Sequence, residues 1–121
     1  MVFRFGDLDF LNDLEKPDFA KHSGNIVLWG AGKLGGVAAF VLKKKGIEFI
    51  AFCDSDPKKQ GSIYHGHKVI SPDTLFTEYL EPVVIITTVD HKKIKEQLSS
   101  SPISSYFDAW PLYDSPAKTR I

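Results

Sequence analysis

Ile26-Val27-Leu28-Trp29-Gly30-Ala31-Gly32-Lys33-Leu34-Gly35-Gly36 decides how this chain is read. Its first four residues are apolar without interruption. That suits a strand buried on both faces in a parallel sheet rather than a half-exposed one. Gly-x-Gly-x-x-Gly follows at once, at Gly30, Gly32 and Gly35, and a helical pattern opens behind it. Strand, tight turn and helix N-terminus in that order are how an α/β domain receives a nucleotide phosphate. Each glycine has its own task. Gly30 permits the turn, Gly32 lets the backbone approach a phosphate, and Gly35 lets the helix lie close on the strand. The free N–H groups and positive dipole end of the helix then face the anion. Lys33 and Leu34 lie inside the loop, and Lys33 is a candidate phosphate contact or a solvated side chain. Val37, Ala38, Val41 and Leu42 make the inward stripe of the helix, which Gly46 ends.

A second apolar run, residues 48–53, reads as the next strand and ends at Asp54. An acid roughly 20 residues beyond the glycine loop is placed to accept ribose hydroxyls. Such a carboxylate repels a 2′-phosphate, which favours NAD over NADP. Ser55 stands beside it and joins the candidate site. The plainer reading is that Asp54 turns the chain together with Ser55, Asp56 and Pro57. Cys53 reads as a small buried apolar residue, with no base placed near it.

Lys58-Lys59-Gln60-Gly61 is a turn, and no helical pattern fits between the second and third strands, so this crossover is reduced. His65 and His67 carry a metal-like spacing, but no acids or cysteines complete a set, and no metal is expected. Residues 68–70 form the third strand. Ser71 caps a helix that has Pro72 at its first position and Leu75, Phe76, Tyr79 and Leu80 on its apolar face. Residues 83–87 are a second continuous apolar strand. Thr87 and Thr88 sit at its C-terminal end, where open α/β sheets collect ligands, so their hydroxyls are candidates for ribose or phosphate. Asp90 is placed to cap a helix over residues 92–98, with Val89 and Ile94 as a hydrophobic staple. Residues 105–110 read as a fifth, edge strand.

The 121 residues carry 15 basic and 15 acidic side chains, a formal net charge of zero. That balance argues against nucleic acid or an anionic membrane as partner. No apolar run approaches the roughly 20 residues of a membrane span. The single cysteine and the absence of a signal-peptide pattern at the N-terminus fit a cytoplasmic protein. Residues 1–24 form a lead in which Leu8, Leu11 and Leu14 recur at helical spacing among Phe3, Phe5, Phe10 and Phe19. The lead reads as an amphipathic helix packed on the domain, or as a contact for a second subunit or a missing catalytic domain. Residues 25–110 make the nucleotide-binding domain, and residues 111–121 a tail or linker.

The order β-α-β-β-α-β-α-β predicts a three-layer, Rossmann-like α/β domain with a mostly parallel five-stranded sheet in the order 3-2-1-4-5. The glycine loop, the turn Phe52-Cys53-Asp54-Ser55-Asp56-Pro57 and the strand His65-Gly66-His67-Lys68-Val69-Ile70-Ser71-Pro72 resemble a small domain of bacterial surface-sugar enzymes. That domain heads the sugar O- and N-acetyltransferases with a left-handed β-helix. It is similar to the accessory domain of FkbM-type methyltransferases and to the nucleotide-binding part of polysaccharide-biosynthesis dehydratases. The resemblance covers residues 25–90. It implies a UDP-sugar at Gly30, Gly32 and Gly35, with Leu34 where the acetyltransferases usually carry a histidine. No catalytic set is legible in the sequence. Three functions follow: a nucleotide- or nucleotide-sugar-binding domain accessory to a sugar-modifying transferase, an NAD-binding oxidoreductase fragment, or a ligand-free interaction module. S-adenosylmethionine is a further candidate ligand, because its sites use a similar loop and acid.

Overall fold

The computed structural model describes residues 19–110. A 3₁₀ turn, Phe19–His22, leads into β1 (Ile26–Trp29), α1 (Lys33–Lys44), β2 (Ala51–Cys53), β3 (Ile63–Tyr64) and β4 (His67–Ile70). Then come α2 (Pro72–Glu78), β5 (Val83–Ile86), α3 (His91–Ser99) and β6 (Ser105–Asp108). The strands form one sheet in the order β3-β4-β2-β1-β5-β6. Every pairing is parallel except that of β3 with β4. With β3 set aside, the order is the 3-2-1-4-5 expected of a Rossmann-like domain.

The two continuous apolar runs, β1 and β5, pair with each other at the centre, Ile26 opposite Val83 and Trp29 opposite Ile86. Their side chains alternate between the two faces of the sheet, as the strand period of two requires. Ile26, Leu28, Phe52, Val69, Val83 and Ile85 point to one face and meet Ala38, Val41 and Leu42 of α1. Val27, Trp29, Cys53, Val84 and Ile86 point to the other and meet Leu75 of α2 and Ile94 and Leu98 of α3. Burial on both faces explains why these strands carry no polar alternation.

The sixth strand is the departure from expectation. β3 has two residues, and Ile63 is 70% exposed, so no apolar pattern announces it. It exists because His65 and Gly66 both take positive φ, 49° and 79°. Two such residues make the tight turn whose twist suits a hairpin. The second strand is also shorter than read, spanning Ala51–Cys53. Ser71 caps α2, its hydroxyl accepting from Thr74 N at 3.1 Å. Asp90 precedes α3 but makes no side-chain cap bond, and Val89 is 65% exposed, so the staple does not form. Phe19 is buried edge-on against Phe107, with centroids 5.9 Å apart. The rest of the expected lead, with Leu8, Leu11 and Leu14, and the expected tail, 111–121, lie outside the described residues. No described helix is long and apolar enough to cross a membrane.

Candidate functional site

Gly30 leaves β1 at φ +132°, a conformation that side chains other than glycine rarely adopt. A Cβ there would also stand 2.6 Å from the Thr87 hydroxyl. The turn brings Ala31 N–H to Asp54, whose Oδ2 accepts at 2.8 Å. The other carboxylate oxygen, Oδ1, accepts from Asp56 N at 2.9 Å. Asp54 thus does the turn-forming work of the plainer reading. Each of its oxygens keeps a second lone pair for a ligand hydroxyl.

Gly32 is the N-cap of α1, with extended backbone and no side-chain cap. Its carbonyl accepts the first helical bond from Gly36 N at 2.9 Å. The N–H groups of Lys33, Leu34 and Gly35 meet no acceptor among the described residues. Unpaired N–H groups at a helix start are the usual receptor for an anion. Gly35 lies against the turn: a Cβ on it would fall 1.8 Å from Gly30 O. Lys33 is exposed, while Leu34 is half-buried and packs toward the core.

Two residues that the sequence reading passed over hold this loop from outside. Lys59 Nζ donates to Ala31 O at 3.1 Å. Tyr64 donates its hydroxyl to Gly32 O at 2.8 Å. Both come from the segment between β2 and β4, where a Rossmann-like domain ordinarily places a helix. The turn 58–61 is legible in the sequence, but nothing in its spacing tells that it folds forward over the glycine loop. Gln60 completes the tie, its Nε2 donating to Asp54 O at 2.9 Å.

The two threonines part company. Thr87 is buried, and its hydroxyl donates to the carbonyls of Trp29 and Gly30, at 3.2 and 3.4 Å. It braces the turn from below. Thr88 opens into a cleft of about 160 Å³ beside Gly30, Asp54, Ser55, Asp90 and Lys93. A second hollow, about 420 Å³, adjoins it through Ser55 and Gln97 and runs toward Ser71 and Phe76. Together they lie along the C-terminal ends of β1, β2, β4 and β5, the ligand edge of an open α/β sheet. A larger hollow, about 740 Å³, sits away from this edge, between α1 and the hairpin, lined by Phe40, Lys43, Phe49 and both His65 and His67. The two histidines do not act as a pair. His65 lies over Gly36, and His67 stacks on Phe49 with centroids 3.8 Å apart.

A second polar group escaped the sequence reading. His91 Nδ1 and Asp108 Oδ2 are 2.6 Å apart, and Lys95 Nζ reaches the same oxygen at 3.2 Å. Seventeen residues separate the histidine from the aspartate, and the pairing of β5 with β6 brings them together. Trp110 N donates to the other oxygen of Asp108 at 3.1 Å. Cys53 is buried, and its burial, with the Asp54 carboxylate beside it, pushes the thiol far up. Both effects favour the neutral thiol over the thiolate, the form a nucleophile needs.

A sequence model of the N-terminal region of C2185-like proteins matches residues 22–106. The chain belongs to the C2185-like N-terminal family. No curated protein matches this C2185-like chain in sequence. Solved structures similar to it include RSP, a Rex-family repressor, at TM-score 0.59 and 18% identity, covering 76% of this chain and 47% of that one. The C2185-like chain therefore spans about half the length of the repressor chain it matches. That repressor has also been solved with beta-NADH, and with beta-NAD+ and operator DNA. A UDP-D-quinovosamine 4-dehydrogenase from Vibrio fischeri matches at TM-score 0.55 and 26% identity, covering 69% of this chain and 75% of that one. These likenesses establish the Rossmann-like fold of the C2185-like domain. The likeness to acetyltransferases and FkbM-type methyltransferases rests on the sequence motifs alone.

One expectation is overturned. A balanced net charge argues against a nucleic-acid partner, yet a repressor with this fold is found with operator DNA. The match takes in 46% of that chain. The charge of one domain does not report on what the remainder of a longer protein contacts, so the balance excludes nothing.

Proposed function

We propose that this C2185-like domain binds a nucleotide through its diphosphate, NAD or NADH first. The observation that carries the reading is the open mouth of α1: three backbone N–H groups without an acceptor among the described residues, beside an acid at the end of the second strand. In this reading the phosphates lie on the N–H groups of Lys33, Leu34 and Gly35, and Asp54 accepts ribose hydroxyls with the lone pairs its turn leaves over. Ser55 and Thr88 line the adjoining cleft and meet the ribose or the second half of the ligand. Thr87 braces the turn from below through the carbonyls of Trp29 and Gly30, and Gly35 packs against Gly30 while its N–H stays open to the ligand. The fold shared with a repressor solved with NADH and NAD+ supports the dinucleotide.

A UDP-sugar is the second reading. It is favoured by the 26% identity to a UDP-sugar dehydrogenase and by the sequence resemblance to surface-sugar enzymes. Hydride transfer, sugar modification and any further domain would then belong to residues beyond the described site.

The test is isothermal titration of the full chain with NAD, NADH, NADP, UDP-N-acetylglucosamine and S-adenosylmethionine. Saturable binding of NAD or NADH, with NADP weaker by roughly tenfold, about 1.4 kcal/mol, supports the first reading. Binding of the UDP-sugar alone moves the proposal to the second. Silence from all five at about 1 mM, a binding free energy near −4 kcal/mol, removes both.

A further inference from the structure

Lys59 holds a position that the glycine motif does not explain. Its ammonium lies 3.1 Å from Ala31 O and 3.8 Å from where a Cβ on Gly32 would stand. It therefore overlies the peptide that caps α1. Its backbone is pinned there: Lys59 N donates to Asp56 O at 3.0 Å, and its carbonyl accepts from the Ser62 hydroxyl. No carboxylate pairs with the ammonium among the described residues. An ammonium carries three donors, and Ala31 O takes one. The ammonium thus stands beside the capping residue of α1, the positive end of that helix, and has two donors left for an anion held there.

We infer that Lys59 is the specificity residue of the proposed site: it selects ligands with two phosphates and turns away S-adenosylmethionine. This rests on the reading of the glycine loop as a nucleotide site. One phosphate satisfies the N–H groups of Lys33 and Leu34. A second phosphate, bonded to the first, brings its oxygens to the Lys59 ammonium. A nucleoside monophosphate fills the first position and leaves the second empty. S-adenosylmethionine carries a sulfonium where the phosphates would lie, and its positive charge meets two like charges. Tyr64, whose hydroxyl fixes Gly32 O, is a positioning residue that keeps the loop under the ammonium.

The experiment titrates the full chain and its Lys59→Met and Lys59→Arg variants with S-adenosylmethionine and with two series, adenosine, AMP, ADP and NAD, and uridine, UMP and UDP. S-adenosylmethionine is expected to bind Lys59→Met more tightly than wild type, and wild-type binding as tight as that of Lys59→Met overturns the exclusion. Lys59 is exposed and water can replace its bond to Ala31 O, so both variants are expected to unfold close to the wild-type urea midpoint. The wild type is expected to prefer the diphosphate over the monophosphate in whichever series it binds. Lys59→Met should cut diphosphate affinity roughly 10- to 100-fold, the worth of a charged hydrogen bond, and leave nucleoside affinity unchanged. Lys59→Arg should keep most of it. Equal loss across nucleoside, monophosphate and diphosphate, or no loss at all, overturns the role of Lys59 and leaves the nucleotide reading standing. Failure of the wild type to bind either series removes the nucleotide reading and this inference with it.

Discussion

Replacing Gly35 by alanine tests the division of labour within the glycine loop. A Cβ at Gly35 would lie 1.8 Å from Gly30 O, 3.0 Å from Gly30 C and 3.4 Å from Phe52 Cε1. The first contact is with backbone, so no rotamer relieves it. The start of α1 and the end of β1 would have to part by more than an ångström. Forcing a methyl group into packed structure costs about 1–3 kcal/mol, and rigid backbone on both sides puts this case at the top. Alanine recovers about 1 kcal/mol over glycine inside a helix. The net loss is then about 2 kcal/mol, a fall of roughly 1 M in urea midpoint at an m value of about 2 kcal/mol/M. Two controls separate packing from other glycine effects. Gly32→Ala meets only Lys59 Nζ at 3.8 Å and has extended backbone, so it should stay within about 1 kcal/mol of wild type. Gly46→Ala meets nothing within 4 Å, and only its φ of +72° is strained, at about 1 kcal/mol. Urea unfolding followed by the fluorescence of the two tryptophans, Trp29 and Trp110, reads all three. A Gly35→Ala protein as stable as wild type would show slack between helix and strand, and the packing argument for the third glycine would fail.

The acid at the end of β2 carries a stability role besides any ligand role. Asp54→Ala leaves Ala31 N–H and Asp56 N–H without their acceptors and should cost about 1–3 kcal/mol in the ligand-free protein, by urea unfolding. A wild-type midpoint would show that both donors find water at no cost. Asp108→Ala strips partners from His91, Lys95 and Trp110 N–H at once; about 1–3 kcal/mol should be lost, and His91→Ala in the same background should add little. Full additivity of the two changes would mean that the pair is not coupled. Cys53 should resist iodoacetamide in the native state and react once the chain is unfolded. Its thiol is raised above the ordinary 9.0 by burial first and Asp54 second, so the folded state keeps a proton that the unfolded state loses. Its contribution to stability is therefore full below pH 9.0 and declines as the pH climbs above it. The fall in urea midpoint from pH 8 to pH 10 should be smaller in Cys53→Ala, and an equal fall would contradict the assignment.

The architecture was legible because it rests on local signals that burial obeys. β1 and β5 announce themselves as central strands by unbroken apolar sequence, and α1 by its stripe and its glycine stop. The strand order then follows from the connections available to a parallel sheet. What stayed hidden depends on where a loop goes in space. Lys59 and Tyr64 stand 27 and 32 residues beyond Gly32, and only the fold brings them to it. His91 and Asp108 meet through strand pairing, not spacing. Thr87 and Thr88 are chemically alike and adjacent, yet one faces the turn carbonyls and the other the cleft. Period-two alternation could have separated them, since Ile86 and Thr88 leave the strand on the same side and Thr87 on the other.

The missing crossover helix and the held glycine loop have one cause. A parallel connection from β2 to β4 ordinarily runs through a helix lying along the face of the sheet. Here residues 54–66 contain no such helix, and the chain turns back at the ligand edge instead. The Asp56 turn lifts Lys59 over Ala31 O, and the short strand β3 with its His65-Gly66 turn swings Tyr64 onto Gly32 O. Gly36, the extra glycine after the motif, belongs to the same arrangement. A Cβ there would come 2.8 Å from His65 Nε2 and 3.1 Å from the Tyr64 hydroxyl. The second glycine of Gly35-Gly36 leaves room for the side chains of Tyr64 and His65, which the hairpin brings forward onto the helix. Lengthening the segment by a helical turn would move Lys59 and Tyr64 off the loop together, so the shortness of the crossover is itself part of the site.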